Sequence, residues 1–231
     1  MGSLLLIRHG QASFGKADYD ALSEIGFRQS QVLGASLAQR QIRPALAFSG
    51  GMRRHQETAE TCLAALGRTD LSLEIDPGFR EYDHEEVLAR YQPRYADRAA
   101  LAADMRREPE PRRAFQALFR QAVARWMSGE HDADYRETWP QFAQRCTAAA
   151  ERAAARLGSG QTGLVFTSGG CISAVVQALL GLPDPGVAQL NWTLANAGIT
   201  KVLVGQQGLR LSSLNEHSAF EGEHAALLSY R

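Results

Sequence analysis

The sequence predicts an α/β protein with three layers, α/β/α, in which helices cover both faces of a mostly parallel central sheet. Short apolar runs of strand length alternate along the chain with segments of helical spacing, which is typical of this architecture. The segment at about residues 82–135 breaks the alternation, because it is rich in Arg, Ala and Glu and has no strand-like run. We therefore expect a single domain over residues 1–231 with a helical cap inserted at about 82–135.

The predicted elements follow in a regular order. Leu4 to Ile7 form an apolar run that Gly10 ends, which predicts a short buried strand. Ser23 is the predicted N-cap of a helix whose apolar stripe continues up to Pro44. The other predicted strands are residues 45–48, 71–75, 163–167, 199–204 and 209–214, and the other predicted helices are residues 53–66, 139–157 and 172–180.

Charge and composition exclude several classes of protein. Lys and Arg together number 25, as do Asp and Glu, so the net charge is zero, whereas a coat for nucleic acid or an anionic membrane needs a basic surplus. No stretch approaches the roughly 20 apolar residues of a membrane span, and no cationic segment precedes the first apolar run. Cys62, Cys146 and Cys171 lack paired spacing. We expect a cytoplasmic protein with reduced thiols that binds neither nucleic acid nor membrane.

Polar and charged residues follow four of the predicted strands. These groups are Arg8-His9, residues 49–54, Arg80-Glu81 and Ser168-Gly169-Gly170. In open α/β sheets the loops after the strands gather along one edge, where ligands bind. A cation beside an imidazole, together with Arg54 at a helix start, indicates an anion site, and phosphate is the obvious anion. The alternative is that these side chains are solvated loop residues.

The same residues stand in motifs that resemble the histidine phosphatase superfamily, also called phosphoglycerate mutase-like. Arg8-His9-Gly10 is similar to the opening Arg-His-Gly motif of that family. Ser49, followed by the run from Arg54 to Ala59, is similar to its second-strand motif. The other stretches that resemble the family are Leu22 to Gln29, Glu81 and Glu137-Thr138. The resemblance covers nearly the whole chain outside the cap, and the order and spacing of the motifs are more specific than any one motif.

The resemblance implies a phosphatase that hydrolyses a small phosphomonoester. His9 would attack phosphorus and become phosphohistidine, while Arg8 and Arg54 would hold the phosphoryl oxygens. Glu81 would protonate the leaving alcohol and later deprotonate the attacking water. No metal and no cofactor would be needed, because the guanidinium groups supply positive charge. Two alternatives stay open: phosphoglycerate mutase-type phosphoryl transfer through the same intermediate, and a non-catalytic relative that only binds phosphate.

The chain departs from the family pattern at Ser168, where the family places a second histidine. A serine can donate a hydrogen bond to a phosphoryl oxygen but carries no positive charge, which is expected to slow transfer by about tenfold to a hundredfold. The backbone amides of Gly169 and Gly170 at the helix start would offset part of that loss. Other imidazoles could substitute in space, although each is interpreted first as a surface or supporting residue: His55, His84 and His217.

Substrate recognition depends on the loop after His9 and on the cap. Gln11 and Ser13 are predicted substrate contacts, with exposure to water as the alternative. Gly15 stands where relatives with mutase activity often carry Asn, which disfavours the mutase. The cap arginines could recruit an acidic substrate, but the acidic residues between them favour a solvated helical face, and the tryptophans are interpreted as packing residues. A homodimer is compatible with the sequence, which does not decide the oligomeric state.

Overall fold

The computed structural model describes residues 1–13 and 20–230 of the chain. The strands are β1 (Gly2–Arg8), β2 (Pro44–Ser49), β3 (Leu73–Ile75), β4 (Thr162–Thr167), β5 (Ile199–Gly205) and β6 (Gly208–Glu216). The α-helices are α1 (Glu24–Gln39), α2 (Arg53–Leu66), α3 (His84–Tyr91), α4 (Arg98–Arg107), α5 (Pro111–Met127), α6 (Trp139–Ala155), α7 (Gly169–Leu180) and α8 (Asp184–Thr193).

The strands form one mixed sheet in the order β3-β2-β4-β1-β5-β6. The pairs β1–β4, β2–β4 and β2–β3 are parallel. The pairs β1–β5 and β5–β6 are antiparallel, so the last two strands form a hairpin on the β1 side of the sheet. The prediction of a mostly parallel sheet flanked by helices is confirmed.

Alternate residues of β1 face two separate hydrophobic cores. Leu4 and Leu6 belong to the core that includes the buried faces of α6 and α7. Leu5 and Ile7 belong to the core that includes the buried faces of α1 and α2. Because successive side chains of a strand point to opposite faces, a strand covered on both sides is apolar throughout. This is why the first strand is a continuous apolar run and why the protein has three layers.

Two glycines allow the N-terminus of α1 to pack directly against the chain that leaves β1. A Cβ at Gly26 would lie 2.2 Å from the carbonyl oxygen of Gln11, and a Cβ at Gly10 would lie 2.5 Å from the carbonyl oxygen of Gly26. Ser23 is the N-cap that the sequence predicts, since its Oγ accepts a hydrogen bond from Gly26 N at 3.1 Å. The close backbone contact sets the path of the chain after β1.

The segment from 82 to 135 contains α3, α4 and α5 and no strand. Trp126 at the end of α5 is buried, and its ring lies 4.7 Å from that of Tyr82 and 5.3 Å from that of Trp139, centroid to centroid. Its indole Nε1 donates to the carbonyl oxygen of Glu137 at 2.8 Å. Aromatic packing thus holds the helical segment against the start of α6. Its interpretation as an inserted cap stays a prediction.

Several elements differ from the sequence expectation, and the helices after β3 show the clearest cases. Helix α7 begins at Gly169, three residues earlier than expected, because the two glycines that suggested a turn are the first residues of the helix. Helix α6 ends at Ala155 rather than 157. Helix α8 was not predicted, because Pro183, Pro185 and Gly186 signal a turn and Val187 is its one buried residue. None of these differences changes the order of the strands.

All three cysteines are buried thiols without disulfide bonds. Burial raises the pKa of Cys62 to about 12, so this thiol is protonated at neutral pH. Within residues 1–13 and 20–230, no helix combines the length and the apolar character needed to cross a bilayer. The cytoplasmic location stays a prediction.

Replacing Gly26 by Ala tests the close contact between α1 and the chain after β1. The added methyl group overlaps a backbone carbonyl that cannot rotate away, so we expect the free energy of unfolding to fall by about 1–3 kcal/mol. The matched control is Gly186→Ala, because a Cβ at that helical glycine meets no atom nearer than 4.0 Å. Denaturation in urea measures both variants, and equal stability of the two would contradict the close contact.

Candidate active site

The parallel strands bring the predicted site residues to one edge of the sheet. Arg8 at the end of β1 pairs in register with Thr167 at the end of β4. Ser49 at the end of β2 pairs with Phe166. The loops after these three strands therefore begin side by side, as the rule for open sheets predicts. The fourth predicted group, at Glu81, follows β3 and a short 3₁₀ turn.

His9 is held by backbone hydrogen bonds that define which ring nitrogen carries the proton. Its Nδ1 lies 2.7 Å from the carbonyl oxygen of Gly10. A carbonyl only accepts, so Nδ1 carries the proton and the lone pair is on Nε2. The ring is buried, and this burial, together with the charges of Arg54 and Arg8, holds the pKa of His9 well below its usual value. His9 is thus a neutral imidazole with a basic Nε2.

Arg54 is the second residue of α2 and lies buried beside His9. Its Nη1 donates to Asp20 Oδ1 at 2.7 Å, while Asp20 Oδ2 accepts from the first backbone amide of the helix, that of Arg53, at 2.9 Å. Thr58 Oγ1 donates to the Arg54 carbonyl at 2.6 Å and accepts from Gly10 N at 3.0 Å. These bonds join α2 to the loop after β1 and orient the guanidinium at a helix N-terminus.

Arg8 reaches across the end of the sheet to the C-terminal part of the chain. Its Nη1 donates to the carbonyl oxygen of Tyr230 at 3.0 Å and to that of Leu194. The adjacent carbonyl of His9 accepts from Asn196 Nδ2 at 3.1 Å. The C-terminal segment thus supports the arginine and the histidine that the sequence places next to each other.

The Glu81 carboxylate lies against the N-terminus of α7. Its Oε2 accepts from Gly170 N at 2.9 Å, and its Oε1 accepts from Tyr82 N at 3.2 Å. Burial raises the pKa of Glu81, and the hydrogen bond from Gly170 and the charge of Arg54 oppose that rise. A raised pKa shifts a carboxyl group towards its protonated form, the form that a general acid needs.

Arg145 on α6 holds the turn that carries Glu81, a role that the sequence analysis missed. Its Nε and Nη2 form a two-pronged ion pair with the Glu137 carboxylate at 2.6 and 2.9 Å. Its Nη1 donates to three carbonyl oxygens of the turn at 3.1, 3.0 and 2.9 Å, namely those of Pro77, Gly78 and Arg80. Glu137, which stands in one of the family-like motifs, was the available signal for this role. Its partner Arg145 anchors a turn that lies far from it in the sequence, so the sequence does not show the contact.

Ser168 follows β4 as the N-cap of α7, and its side chain meets an imidazole. His55 Nε2 lies 2.6 Å from Ser168 Oγ, and both residues are buried. The rings of His55 and His9 are 5.7 Å apart, centroid to centroid. Burial and the charges of Arg54 and Arg80 hold the pKa of His55 well below its usual value. Of the three alternative imidazoles in the sequence, this one lines the site.

The other two alternative imidazoles occupy different places. His84 is the first residue of α3 and is half-buried, and burial followed by the charge of Arg54 lowers its pKa. His217 follows β6, where its Nδ1 donates to the carbonyl oxygen of Asn215 at 2.6 Å. Of the three, His55 is the imidazole whose hydrogen bond to a predicted catalytic residue, Ser168, the structure describes.

Comparison with known proteins identifies the family. The profile of the histidine phosphatase superfamily (branch 1) matches residues 4–217. The chain belongs to this superfamily. A 2,3-bisphosphoglycerate-dependent phosphoglycerate mutase of Sinorhizobium fredii is 32% identical over 93 residues. That match covers 37% of this chain and 44% of the mutase, so less than half the length of such curated relatives is matched.

Solved structures share the fold of this superfamily member along nearly the whole chain. Phosphoglycerate mutase from Bacillus anthracis has a TM-score of 0.62 and 22% identity, with 94% of each chain covered. A mycobacterial glucosyl-3-phosphoglycerate phosphatase has a TM-score of 0.61 and 23% identity, with 93% of this chain and 98% of that chain covered. At these identities the likeness establishes the α/β fold and leaves the reaction to be argued from the site.

In this histidine phosphatase superfamily member the predicted substrate contacts make internal hydrogen bonds. Ser23 Oγ donates to Gln11 Oε1 at 2.9 Å. Ser13 Oγ donates to the carbonyl oxygen of Leu22 at 2.9 Å. Both bonds tie the loop after His9 to the start of α1, and a role of these side chains in binding substrate stays a prediction. Gly15 lies outside the residues that the structure describes.

The arginines of the 82–135 segment mostly pair with nearby carboxylates at the surface. Arg94 and Arg107 both contact Asp104, at 3.1 and 3.3 Å. The other arginines of the segment that form ion pairs are Arg90, Arg98, Arg113 and Arg125. Exposed pairs of this kind contribute little stability, about 0–1 kcal/mol. The pattern is that of a solvated face with both charges interspersed.

The predicted site supplies positive charge through guanidinium groups. Arg8 and Arg54 both act on His9, as the lowering of its pKa shows. Among the residues that the structure describes, no three His, Cys, Asp or Glu side chains are grouped as ligands of one metal ion. The expectation that the reaction needs neither metal nor cofactor stays a prediction.

The free energy of unfolding is expected to fall as the pH drops below about 6.5. His9 and His55 have folded-state pKa values well below 6.5, and unfolding returns both to that ordinary value. Below pH 6.5 the unfolded chain therefore binds more protons than the folded protein. The stability is fully present above this pH and is lost below it, with a slope of up to about 1.4 kcal/mol per pH unit for each histidine.

Urea denaturation between about pH 5 and pH 7.5 measures this slope. His55→Gln should reduce the slope by up to about 1.4 kcal/mol per pH unit, because one group with a lowered pKa is removed. The raised pKa of Glu81 has the opposite effect on the pH dependence of the free energy of unfolding. Its contribution to stability is present at low pH and is lost as the pH rises through the folded-state pKa of Glu81. Its variant Glu81→Gln should therefore steepen the histidine slope. An unchanged slope in His55→Gln would contradict the assignment.

Proposed function

We propose that the protein is a phosphatase that hydrolyses a small phosphomonoester through a phosphohistidine on His9. The observation that carries the proposal is the state of His9: a neutral imidazole with its Nδ1 proton held by the Gly10 carbonyl and its Nε2 lone pair available. A nucleophile needs that lone pair, and a lowered pKa keeps it unprotonated at neutral pH. The guanidinium groups of Arg8 and Arg54 next to it favour an anionic substrate.

Each step balances with the residues of the site. The Nε2 lone pair of His9 forms the N–P bond as the P–O ester bond breaks, and the bond's electron pair stays on the alcohol oxygen. The protonated Glu81 carboxyl gives its proton to that oxygen. Glu81 then takes a proton from water, whose oxygen forms a P–O bond as the N–P bond breaks. The products are an alcohol, inorganic phosphate and the starting enzyme.

Phosphate binding would replace an internal ion pair. The carboxylate of Asp20, about one-third exposed, contacts Arg54 at 2.7 Å. A phosphoryl group carries more negative charge than a carboxylate and offers three acceptor oxygens. Arg54 is almost fully buried and sits at the N-terminus of α2, where the helix dipole also favours an anion. A substrate can therefore take the guanidinium from Asp20 without uncovering an unpaired charge.

A phosphoglycerate mutase is the second candidate, because the curated relative from Sinorhizobium fredii is named as such a mutase. It would use the same phosphohistidine and return the phosphoryl group to a substrate hydroxyl instead of water. The phosphatase among the structural neighbours supports the first candidate. A third possibility, a non-catalytic phosphate-binding protein, predicts binding without turnover. A small phosphorylated substrate as partner, and a homodimer, belong to the proposal as well.

Removing the nucleophile or the acid should separate their contributions. His9→Ala is expected to lower the rate of aryl phosphate hydrolysis on the order of a thousandfold or more, because no N–P bond can form. Glu81→Gln keeps the shape of the carboxyl group without its proton and should lower kcat by about a hundredfold to ten-thousandfold. Acid-labile phosphate on wild-type protein, trapped during turnover and absent in His9→Ala, measures the intermediate.

Three outcomes distinguish the candidate functions. In water enriched in oxygen-18, a phosphatase places a labelled oxygen in each phosphate that it releases. A mutase instead interconverts 2- and 3-phosphoglycerate when 2,3-bisphosphoglycerate is present, with little phosphate released. Binding of inorganic phosphate by wild type, seen as a rise in Tm, without hydrolysis of any phosphomonoester in a panel would favour the non-catalytic reading. Full activity of His9→Ala would overturn the proposed mechanism.

Gly170→Ala should displace the general acid while leaving the fold intact. A Cβ at this position would lie 2.3 Å from Glu81 Oε1 and 2.8 Å from Tyr82 Cε1. The carboxylate is the end of a flexible side chain and can move, whereas the buried ring of Tyr82 must shift. We therefore expect the free energy of unfolding to fall by about 1–3 kcal/mol, together with a large loss in kcat.

The displacement predicts that the double variant Glu81→Gln with Gly170→Ala is no slower than Glu81→Gln alone, because both changes remove one function. Gly158→Ala is the matched control, since that glycine precedes β4 at the opposite end of the strand from Ser168. Wild-type kcat in Gly170→Ala would show that Glu81 is not positioned by this contact.

A further inference from the structure

His55 and Ser168 form a buried polar pair in the wall of the candidate active site. Both side chains are almost completely inaccessible to solvent, at 0% and 1% exposure. They come from different elements, His55 from the first turn of α2 and Ser168 from the N-cap of α7. The pair thus joins the loops that follow β2 and β4, next to the ring of His9 at 5.7 Å.

The surroundings of His55 indicate which atom donates in this pair. Its Nδ1 is buried and has no hydrogen-bond partner among the described residues. That nitrogen packs against the backbone of Gly50, where a Cβ would lie 2.7 Å away. If Ser168 donated to Nε2, the ring proton would be on Nδ1, as a buried donor against a CH₂ group. A proton on Nε2 instead leaves Nδ1 as a lone pair with no N–H pressed against the backbone, and it makes Ser168 Oγ the acceptor.

This assignment leaves the hydroxyl proton of Ser168 available. Ser168 makes no capping bond to α7, and within the described residues its recorded side-chain partner is His55. His9 N donates to the carbonyl oxygen of Thr167, the residue before Ser168, at 2.8 Å. A buried hydroxyl proton without an acceptor is costly, and a ligand bound at His9 would bring the acceptor that it lacks. A phosphoryl oxygen on the phosphorus attacked by His9 is such an acceptor.

We propose that His55 is a positioning residue that donates from Nε2 to Ser168 Oγ and thereby directs the serine hydroxyl proton to an oxygen of the transferred phosphoryl group. The inference rests on the proposed function, since it needs a phosphoryl group at His9. Ser168 is the residue that touches the reacting group, and His55 acts through it. The hydrogen bond from Ser168 to the phosphoryl oxygen strengthens as negative charge develops on the phosphoryl oxygens. Its loss should therefore lower mainly kcat.

Four variants test the pair by steady-state hydrolysis of an aryl phosphate. Ser168→Ala should lower kcat by about tenfold to a hundredfold with little change in KM, because one hydrogen bond to a charged group is lost. His55→Phe keeps the ring volume without a donor and should lose a similar factor. His55→Gln restores an N–H donor and should stay within about threefold of wild type. The double variant His55→Phe with Ser168→Ala should equal Ser168→Ala alone.

Matched controls separate this role from packing. Ser30→Ala removes another buried hydroxyl, one that donates to the carbonyl oxygen of Gly26 at 2.8 Å, and should leave kcat unchanged. His131→Phe changes an exposed imidazole with the same expectation. Wild-type kcat in Ser168→Ala would overturn the proposal, as would equal losses in His55→Gln and His55→Phe. If His55→Phe does not fold, Ser168→Ala and His55→Gln still decide the result.

The proposal and the proposed function fail in different ways. Rapid acid quenching measures how fast phosphohistidine forms in a single turnover. If wild type forms no phosphohistidine, the function proposed for His9 is wrong. If wild type forms it and Ser168→Ala forms it equally fast, the function stands and the His55–Ser168 pair has only a structural role. Slower formation in Ser168→Ala and His55→Phe, with recovery in His55→Gln, supports the pair.

Discussion

The parallel pairing of β1 and β2 with β4 is the constraint on which the candidate site depends. Arg8 pairs in register with Thr167, and Ser49 pairs with Phe166. The three strands therefore end at the same level of the sheet. If one of these strands ran the opposite way, its loop would start at the other edge, roughly 20 Å away for a six-residue strand. The backbone hydrogen bonds of the sheet therefore bring the loop residues together, and the side chains add the chemistry.

The electrostatics of the site follow from burial beside cations. Desolvation and the charges of Arg54 and Arg8 keep His9 neutral, while desolvation raises the pKa of Glu81. Each shift is in the direction that the proposed role requires, an unprotonated nucleophile at His9 and a proton donor at Glu81. Asp20 offsets part of the positive charge at Arg54 through a contact of 2.7 Å. The same burial lowers the pKa values of His9 and His55 and is therefore expected to make the folded protein sensitive to acid.

Close backbone contacts keep these groups in position. Gly26 lets α1 touch the chain after β1, and Gly170 lets the N-terminus of α7 touch Glu81. Arg145 anchors the turn before Glu81 through three carbonyl oxygens, and Thr58 joins α2 to the loop after β1. A reaction that needs reacting atoms at hydrogen-bonding distance benefits from this rigidity.

The sequence by itself determined the succession of the predicted strands along the chain, the mostly parallel sheet, the N-cap at Ser23 and the bounds of α2. Apolar periodicity and capping are local signals, so they can be recognised without the tertiary structure. It also indicated which strand ends carry Arg8-His9 and Glu81. Only the tertiary structure decided the contact between His55 and Ser168 and the clamp by Arg145. Both join residues far apart in the chain, and helical periodicity does not say which distant side chain a buried polar group will meet.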